Sequence, residues 1–385
     1  MRKISLSFLC LVVLVCFFSS HISGQTWSAL ERLTWSTSES QVPAIATDSG
    51  SGIHAVWFDE ISGNYEIYYK RSSNSGTSWS ANTRLTWNTG DSFVPSITVD
   101  SSNRVHVAWY DNSPGNNEIF YKRSTDGGAT WSALQRLTWN SGDSDLPSIA
   151  TDISNRVHVA WYERNSLDNE IFYKRSTDGG VTWLGTTRLT WSGGLTFTPS
   201  IATDSGKVVH VVWHHYASTD FEIYYKRSTD GGATWSGITR LTWNTGDSIG
   251  ASVAVDSNKR IHVAWDYGAP GLRNVYYKRS TDGGYSWSGI TRLTWSSGDS
   301  HRLNLAIDTI NRIHIVWEYN TPSNYEIFYK LSDNSGVSWS GAQRLTWNSG
   351  ASEHPDIAAD PNNDIHVIWQ DNSPGNTEIF YKNRK

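Results

Sequence analysis

The residues with the most evident capacity for chemistry in this chain are those at which a repetitive sequence changes. Asp266, Glu318 and Glu353 are carboxylates at such places. Two carboxyl groups at a fixed separation are the equipment for cleaving a glycosidic bond, one giving a proton while the other takes one or attacks. Tyr267, Arg273, Asn274, His301, Arg302, Tyr319 and His354 accompany them and supply cations, imidazoles and phenols. On neighbouring loops these groups form one asymmetric polar pocket, the expected single ligand site. Drift of loop sequence accounts for the same changes, so both readings stay open.

A second chemistry repeats along the chain. Trp35, Trp87, Trp139, Trp191, Trp243, Trp295 and Trp347 each close an "RLTW" phrase, followed in three copies by "NTGDS" or "NSGDS". An indole plane stacks on the C–H face of a sugar while neighbouring amides, hydroxyls and carboxylates bond its hydroxyl groups. Seven weak sites of this kind gain avidity on a polymeric glycan. The competing reading packs the same indoles between repeated units.

Both sets of residues need a scaffold, and repetition specifies it. The RLTW tryptophans are 52 residues apart, as are Trp57, Trp109, Trp161, Trp213, Trp265, Trp317 and Trp369. Trp27, Trp79, Trp131, Trp183, Trp235, Trp287 and Trp339 keep the same step, and the three series account for all 21 tryptophans. Within one unit, "PSITVD" (95–100), "RVHVAWYD" (104–111), "NEIFYKRS" (117–124) and "SALQRLT" (132–138) read as strands A to D. They are short, rich in β-branched and aromatic residues, and separated by turn formers. Four antiparallel strands per unit of this length make a propeller blade, so the prediction is an all-β, seven-bladed β-propeller over residues 25–385. Strand A is expected to line the central channel. "QTWSALERLTW" is a D strand without its A, B and C, and "NTEIFYKNRK" is a C strand without its D. Residues 28–34 are therefore expected to pair with residues 377–383 and close the ring.

The phrase "STDGGATW" (124–131) recurs at 228–235, with close variants at 176–183 and 280–287. Two further copies, at 72–79 and 332–339, place Asn74 and Asn334 where the others have Asp. This pattern resembles the Asp box, S-x-D-x-G-x-T-W, of the bacterial neuraminidase repeat found in sialidase-like propellers. The resemblance implies a turn between strands C and D on the face opposite the active site. Asp126, Asp178, Asp230 and Asp282 are accordingly expected to be structural, accepting backbone N–H groups across the turn while Gly permits positive φ and Trp pins it. Enzymes of that family bind a substrate carboxylate with three arginines and use a Tyr activated by a Glu, with an Asp as acid/base. Here the ligand-face arginines outside repeated positions are chiefly Arg164, Arg273 and Arg302, and Arg164 belongs two blades from Arg273. The Arg-Ile-Pro sequence of many sialidases is absent, and those enzymes have six blades, so the resemblance implies the fold rather than sialidase activity.

Two further series read as scaffold. His54, His106, His158, His210, His262, His314 and His366 occupy one position of strand B and are expected to bond within their blades to the Asp48, Asp100, Asp152 series, not to a metal. Glu118 and Arg136 are expected to form a modest cross-strand ion pair, repeated in most blades.

The beginning of the chain, "MRKISLSFLCLVVLVCFFSSHISGQ", has the basic start and short apolar run of a secretory signal peptide, assigned to residues 1–24 with cleavage at about residues 20–25. Both cysteines, Cys10 and Cys16, lie inside it, so the mature chain is stabilised without disulfides. Losing Arg2 and Lys3 leaves 30 basic against 37 acidic residues, which argues against a nucleic-acid partner. No second long apolar run is present to span a membrane. The expectation is a secreted, monomeric, extracellular or cell-surface propeller that needs no cofactor and binds glycans. A glycoside hydrolase or polysaccharide lyase, and a protein-interaction or surface-architecture propeller, are the alternatives.

Overall fold

The computed structural model describes residues 26–60, 63–164, 168–191 and 193–385, so the assigned leader lies outside it. The described elements are strands, arranged as seven four-stranded antiparallel sheets. Blades I to VII open with A strands at Ser40–Thr47, Ser92–Val99, Asp143–Thr151, Thr196–Thr203, Ser248–Val255, Ser300–Ile307 and Ser352–Ala359. Strands A to D follow in chain order in blades I to VI. Blade VII takes its D strand from Glu31–Arg32, which pairs antiparallel with Glu378–Arg384, placing Glu31 opposite Tyr381 and Arg32 opposite Phe380. The ring therefore closes as its two end segments require.

Each blade buries its B strand on both faces, because a neighbouring blade covers each side. Val105–Asp111 is almost wholly enclosed, and Trp109 has no exposed surface. Truncating such an indole to Ala would cost about 3–5 kcal/mol. The core runs through blade boundaries: Ala108, Ile119, Tyr121 and Leu137 of blade II pack with Ile149, Val157, Val159 and Trp161 of blade III. Side chains also join the A strands around the channel. Ser96 accepts the Ile149 N–H (3.2 Å), and the buried Asp356 accepts the Ile45 N–H (2.8 Å) across the closing boundary.

Two strand boundaries differ from expectation. Pairing of strand D is confined to two residues, Gln135–Arg136 in blade II, since Thr138 Oγ1 takes the Ile119 N–H (2.8 Å) that a longer ladder would give to backbone. Strand A starts three residues before the proline. Its register slips between Phe93 and Ser96, Val94 has φ +46°, and Pro95 sits in the resulting bulge, where a missing N–H costs no ladder bond.

The Asp box is an internally bonded turn. Asp126 accepts the Thr130 N–H (2.8 Å) and the Ser124 hydroxyl (2.7 Å), and Asn74 and Asn334 accept the equivalent N–H groups of Ser78 and Ser338 at 2.9 Å each. Each box also locks two blades together. Trp131 is half-buried and meets Tyr69 of the preceding blade edge-on at 4.9 Å. Gly128 has φ +87°, and a Cβ there would stand 1.8 Å from the Tyr69 hydroxyl.

The strand B histidines are bonded within their blades. His106 Nδ1 lies 2.6 Å from the Tyr121 hydroxyl and Nε2 3.1 Å from Asp100 Oδ2. A carboxylate only accepts, so Nε2 carries the proton and neutral Nδ1 accepts from the phenol. Burial holds His106, His158, His262 and His314 below the ordinary imidazole range and takes His210 down to about 3. Folded values below the unfolded value of about 6.5 mean stability that is complete above that pH and lost as pH falls through the folded values. The melting temperature should therefore drop continuously from pH 7 to pH 4, with a shallower slope in His210→Gln. A flat profile over that range would contradict the arrangement.

Glu118 and Arg136 are paired at 2.7 Å, but the carboxylate is completely enclosed rather than exposed on a sheet surface. The expected cross-strand ion pair is present, and its carboxylate is buried.

Candidate functional site

At one mouth of the channel the A strands surround a pocket of about 580 Å³. The bulge in each A strand turns one residue of positive φ toward it: Val42, Val94, Leu146 and Thr198, then Gly250, Arg302 and His354. The residue following the core Trp of strand B changes in parallel. It is Phe58, Tyr110 and Tyr162 in blades I to III, and His214, Asp266, Glu318 and Gln370 in blades IV to VII. In that second half, each such side chain accepts the bulge N–H of the next blade. Gly250 donates to His214 Nδ1 (3.5 Å), Arg302 to Asp266 Oδ2 (3.1 Å), His354 to Glu318 Oε2 (2.8 Å), and Val42 to Gln370 Oε1 (2.9 Å). One side of the pocket is thus apolar and the other carries the titratable groups.

Glu318 is the hub. Arg302 Nη1 lies 3.0 Å and His301 Nδ1 3.1 Å from its Oε1. Burial outweighs the Arg302 charge and pushes the carboxyl up to about 7. Asp266 is enclosed, its Oδ1 meets no protein donor, and burial drives it well above the ordinary carboxylate range. Burial takes the imidazoles of His301 and His354 down to about 4 and about 3, so both are neutral near pH 7. Arg273 approaches Asp299 at 3.9 Å and also lines the pocket. Glu318 itself has no exposed surface and does not line the pocket; it orients His301, Arg302 and His354, which do, whereas Asp266 lines the pocket directly.

The expected single site is therefore assembled only in part, and on strands rather than loops. His301 and Arg302 lie in Ser300–Ile307, Asp266 in Ile261–Tyr267, Glu318 in Ile313–Asn320, and Glu353 and His354 in Ser352–Ala359. Strand alternation separates each tyrosine from the carboxylate before it. Tyr267 packs edge-on against Tyr276 (5.0 Å) and Tyr319 against Phe328 (5.4 Å). Asn274 accepts the Thr294 hydroxyl and the Ser296 N–H, both at 3.0 Å, in the place other blades give to Glu. Glu353 accepts from Gln370 at 3.4 Å. Arg164 pairs with Asp145 (2.9 Å) in blade III, so only Arg273 and Arg302 of the three arginines share the pocket. His214 and Asp356 also line it and were missed in the sequence; the aromatic-to-polar change after the strand B Trp was the available signal for His214.

At the rim, the seven RLTW tryptophans are 64–72% exposed, which rules out burial between blades. Each is supported from within the ring. Lys122 Nζ lies 5.1 Å from the centre of the Trp87 ring, Arg84 lies 5.9 Å from it, and the same Lys donates to Leu85 O (2.7 Å), bridging blades II and I. The six other blade boundaries repeat the lysine and arginine contacts. These cations hold the indole in place. Among the described residues, the boundaries at Trp139 and Trp295 open into clefts beside the ring, of about 330 Å³ and about 380 Å³.

These features define an Asp-box propeller with one asymmetric pocket at its centre and exposed indoles around its rim. The family model for the BNR repeat-like domain matches residues 152–367, and the chain belongs to that family. A sialidase of Micromonospora viridifaciens is 28% identical over 242 residues, which are 51% of this chain and 36% of that protein; the chain thus spans little more than a third of its relative. Among solved structures, a polysaccharide lyase described as an ulvan lyase superposes with a TM-score of 0.68 at 10% identity, over 91% of this chain and 95% of the other. The NanB sialidase of Streptococcus pneumoniae gives 0.51 at 13% identity, over 92% and 70%. A protein of unknown function from Dyadobacter fermentans gives 0.58 at 13% identity, over 92% and 99%. At these identities the superpositions establish the fold.

Proposed function

We propose that this chain is a carbohydrate-binding propeller that engages extracellular or cell-surface glycans through its rim tryptophans. The observation that carries this reading is the repeated exposure of seven indoles in a molecule that encloses its strand B Trp series, Trp57 to Trp369, almost completely. Exposing that much aromatic surface is unfavourable in water unless a ligand covers it. The lysine and arginine behind each ring fix its orientation, which lowers the entropy lost when a sugar stacks on it. No helix among the described residues is long and apolar enough to cross a membrane.

The central pocket supports a second reading, cleavage of a glycan with Asp266 as the proton-transferring group, because it lines the pocket, its Oδ1 meets no protein donor, and burial raises its carboxyl well above the ordinary range. One relative is named a sialidase and one structural neighbour a polysaccharide lyase.

A glycan array followed by calorimetry on hits separates the two. On the first reading, Trp295→Ala weakens binding at its site about tenfold or more, equivalent to roughly 1.4 kcal/mol, and new reducing ends do not accumulate in the incubated glycan. Turnover that disappears in Asp266→Asn but survives Trp295→Ala would establish the second reading and defeat the first.

A further inference from the structure

We propose that the rim positions are not equivalent, and that the boundaries between blades II and III and between blades V and VI are the working sites for neutral pyranose units, selected by the size of one gate residue. This rests on the carbohydrate-binding reading and adds to it the number, place and ligand class of the sites. The cleft at Trp295 is walled by Leu293, Trp317, Tyr319, Phe328 and Ala342, and the cleft at Trp139 by Leu137, Trp161, Glu163, Phe172 and Thr186. Ala342 and Thr186 occupy the same repeat position on the flank of strand D. At that position the other blades carry Leu30, Asn82, Leu134, Ile238 and Ile290.

Leu30, Leu134, Ile238 and Ile290 stand half-exposed at the rim. An isobutyl or sec-butyl group at the place of the Ala342 methyl occupies space that forms the cleft in blade VI. A polar link narrows other boundaries. Asn348 Nδ2 donates to Asp371 (2.7 Å), Asn88 donates to Asp111, and Ser36 donates to Asp59 (3.2 Å), each tying the residue after the rim Trp to the next blade. At the Trp295 boundary that aspartate is replaced by Tyr319, and Ser296 instead lies 2.9 Å from Ser300 Oγ.

The lining chemistry fixes the ligand class. The Trp295 cleft has an apolar floor, hydroxyls from Thr294, Ser296, Ser300 and Tyr319, and no carboxylate among its lining residues; its one cation, Lys330, is engaged by Leu293 O (2.5 Å) and by the Trp295 ring. Such a site suits a neutral pyranose, one face on the indole and its edge hydroxyls bonded to Ser and Tyr. The Trp139 cleft offers Glu163 and Asn140 as hydroxyl partners, and its carboxylate disfavours an anionic sugar. The two clefts are three blades apart one way around the ring and four the other.

The test is calorimetric titration of the full-length protein with a panel of neutral oligosaccharides of gluco, galacto, manno and fuco configuration, and with uronate-containing oligosaccharides for contrast. The expected result is two sites per chain for a neutral member. Ala342→Ile should remove one site and leave the affinity of the other unchanged. Ala342→Ile with Thr186→Leu should weaken binding by at least tenfold, and Ile290→Ala, at the Trp243 boundary where Tyr267 replaces the linking aspartate, should add a third site. The new side chains are those other blades already carry at this position, and an unchanged melting temperature verifies folding. Seven equal sites, or a count indifferent to the gate residues but lowered by rim Trp→Ala changes, would overturn the gate while leaving the carbohydrate reading intact. Gate-dependent binding confined to uronates would overturn the ligand class. Absence of binding to any member, neutral or acidic, would overturn the carbohydrate reading and the gate together.

Discussion

Removing residues 26–35 should destabilise the whole ring by more than about 5 kcal/mol, although the segment contributes only the two-residue strand Glu31–Arg32 and a bridge from Trp27 to Arg384 to blade VII. Leu33, 1% exposed, packs with Ile45, Ile53, Trp57, Ile379 and Tyr381, so its loss opens a cavity across the boundary between blades VII and I. A buried Leu reduced to nothing costs about 2–5 kcal/mol by itself. Arg32 is the partner of the enclosed Glu378 at 2.6 Å, and an uncompensated buried carboxylate costs about 3–5 kcal/mol more. Lys70 would lose its bond to Leu33 O (2.6 Å), and the Ile379 N–H its bond to Thr34 Oγ1 (2.8 Å). These losses couple and do not simply add, but all have one sign. Urea unfolding of the truncated and full chains measures the difference. Equal midpoints would show that closure does not hold the ring.

Arg136→Ala should cost about 3–5 kcal/mol, several times what a sheet-surface ion pair is worth. The carboxylate of Glu118 has no exposed surface, and besides Arg136 Nη2 (2.7 Å) it accepts from Asn116 Nδ2 at 3.3 Å. Removing the guanidinium strands that charge in the interior and frees Thr138 O, which accepts from Arg136 Nε at 2.6 Å. Glu118→Asn should be far milder. Blade V contains that exchange: Asn274 sits in the Glu position and accepts from Thr294 and Ser296, while Arg292 remains on strand D. A neutral amide leaves no buried charge, and a partly exposed Arg regains water. The double variant, Arg136→Ala with Glu118→Asn, should recover much of the loss. A double-mutant cycle measures this coupling, and strictly additive effects would contradict it.

Part of the candidate site was legible because it interrupts a repeat. His301, Arg302, His354, Asp266, Arg273 and Glu318 do meet at the channel mouth. The rest of the set did not follow them. Tyr267 and Tyr319 adjoin pocket carboxylates in sequence, yet the two-residue period of a strand turns them toward the rim. The assignment to loops failed for a local reason: the strand A bulge, at Leu303 in blade VI and Pro355 in blade VII, let the strand begin earlier, so His301 and Glu353 are held by ladder bonds.

The sequence alone determined the number of blades, the order of strands, the structural part of the Asp boxes and the pairing of the two end segments. A 52-residue period leaves few ways to bury so many regularly spaced aromatic residues, and each of these features depends on spacing along the chain. Only the tertiary structure decided which tryptophans face water. Trp109 and Trp139 are the same residue type at equally regular positions, but a neighbouring blade covers the first on both sides, while the second projects past the outermost strand with cations on its inner side. The depth of the cleft beside it was also beyond the sequence, because it depends on a flank residue 47 positions further along the chain, Thr186, brought alongside only when two blades pack together.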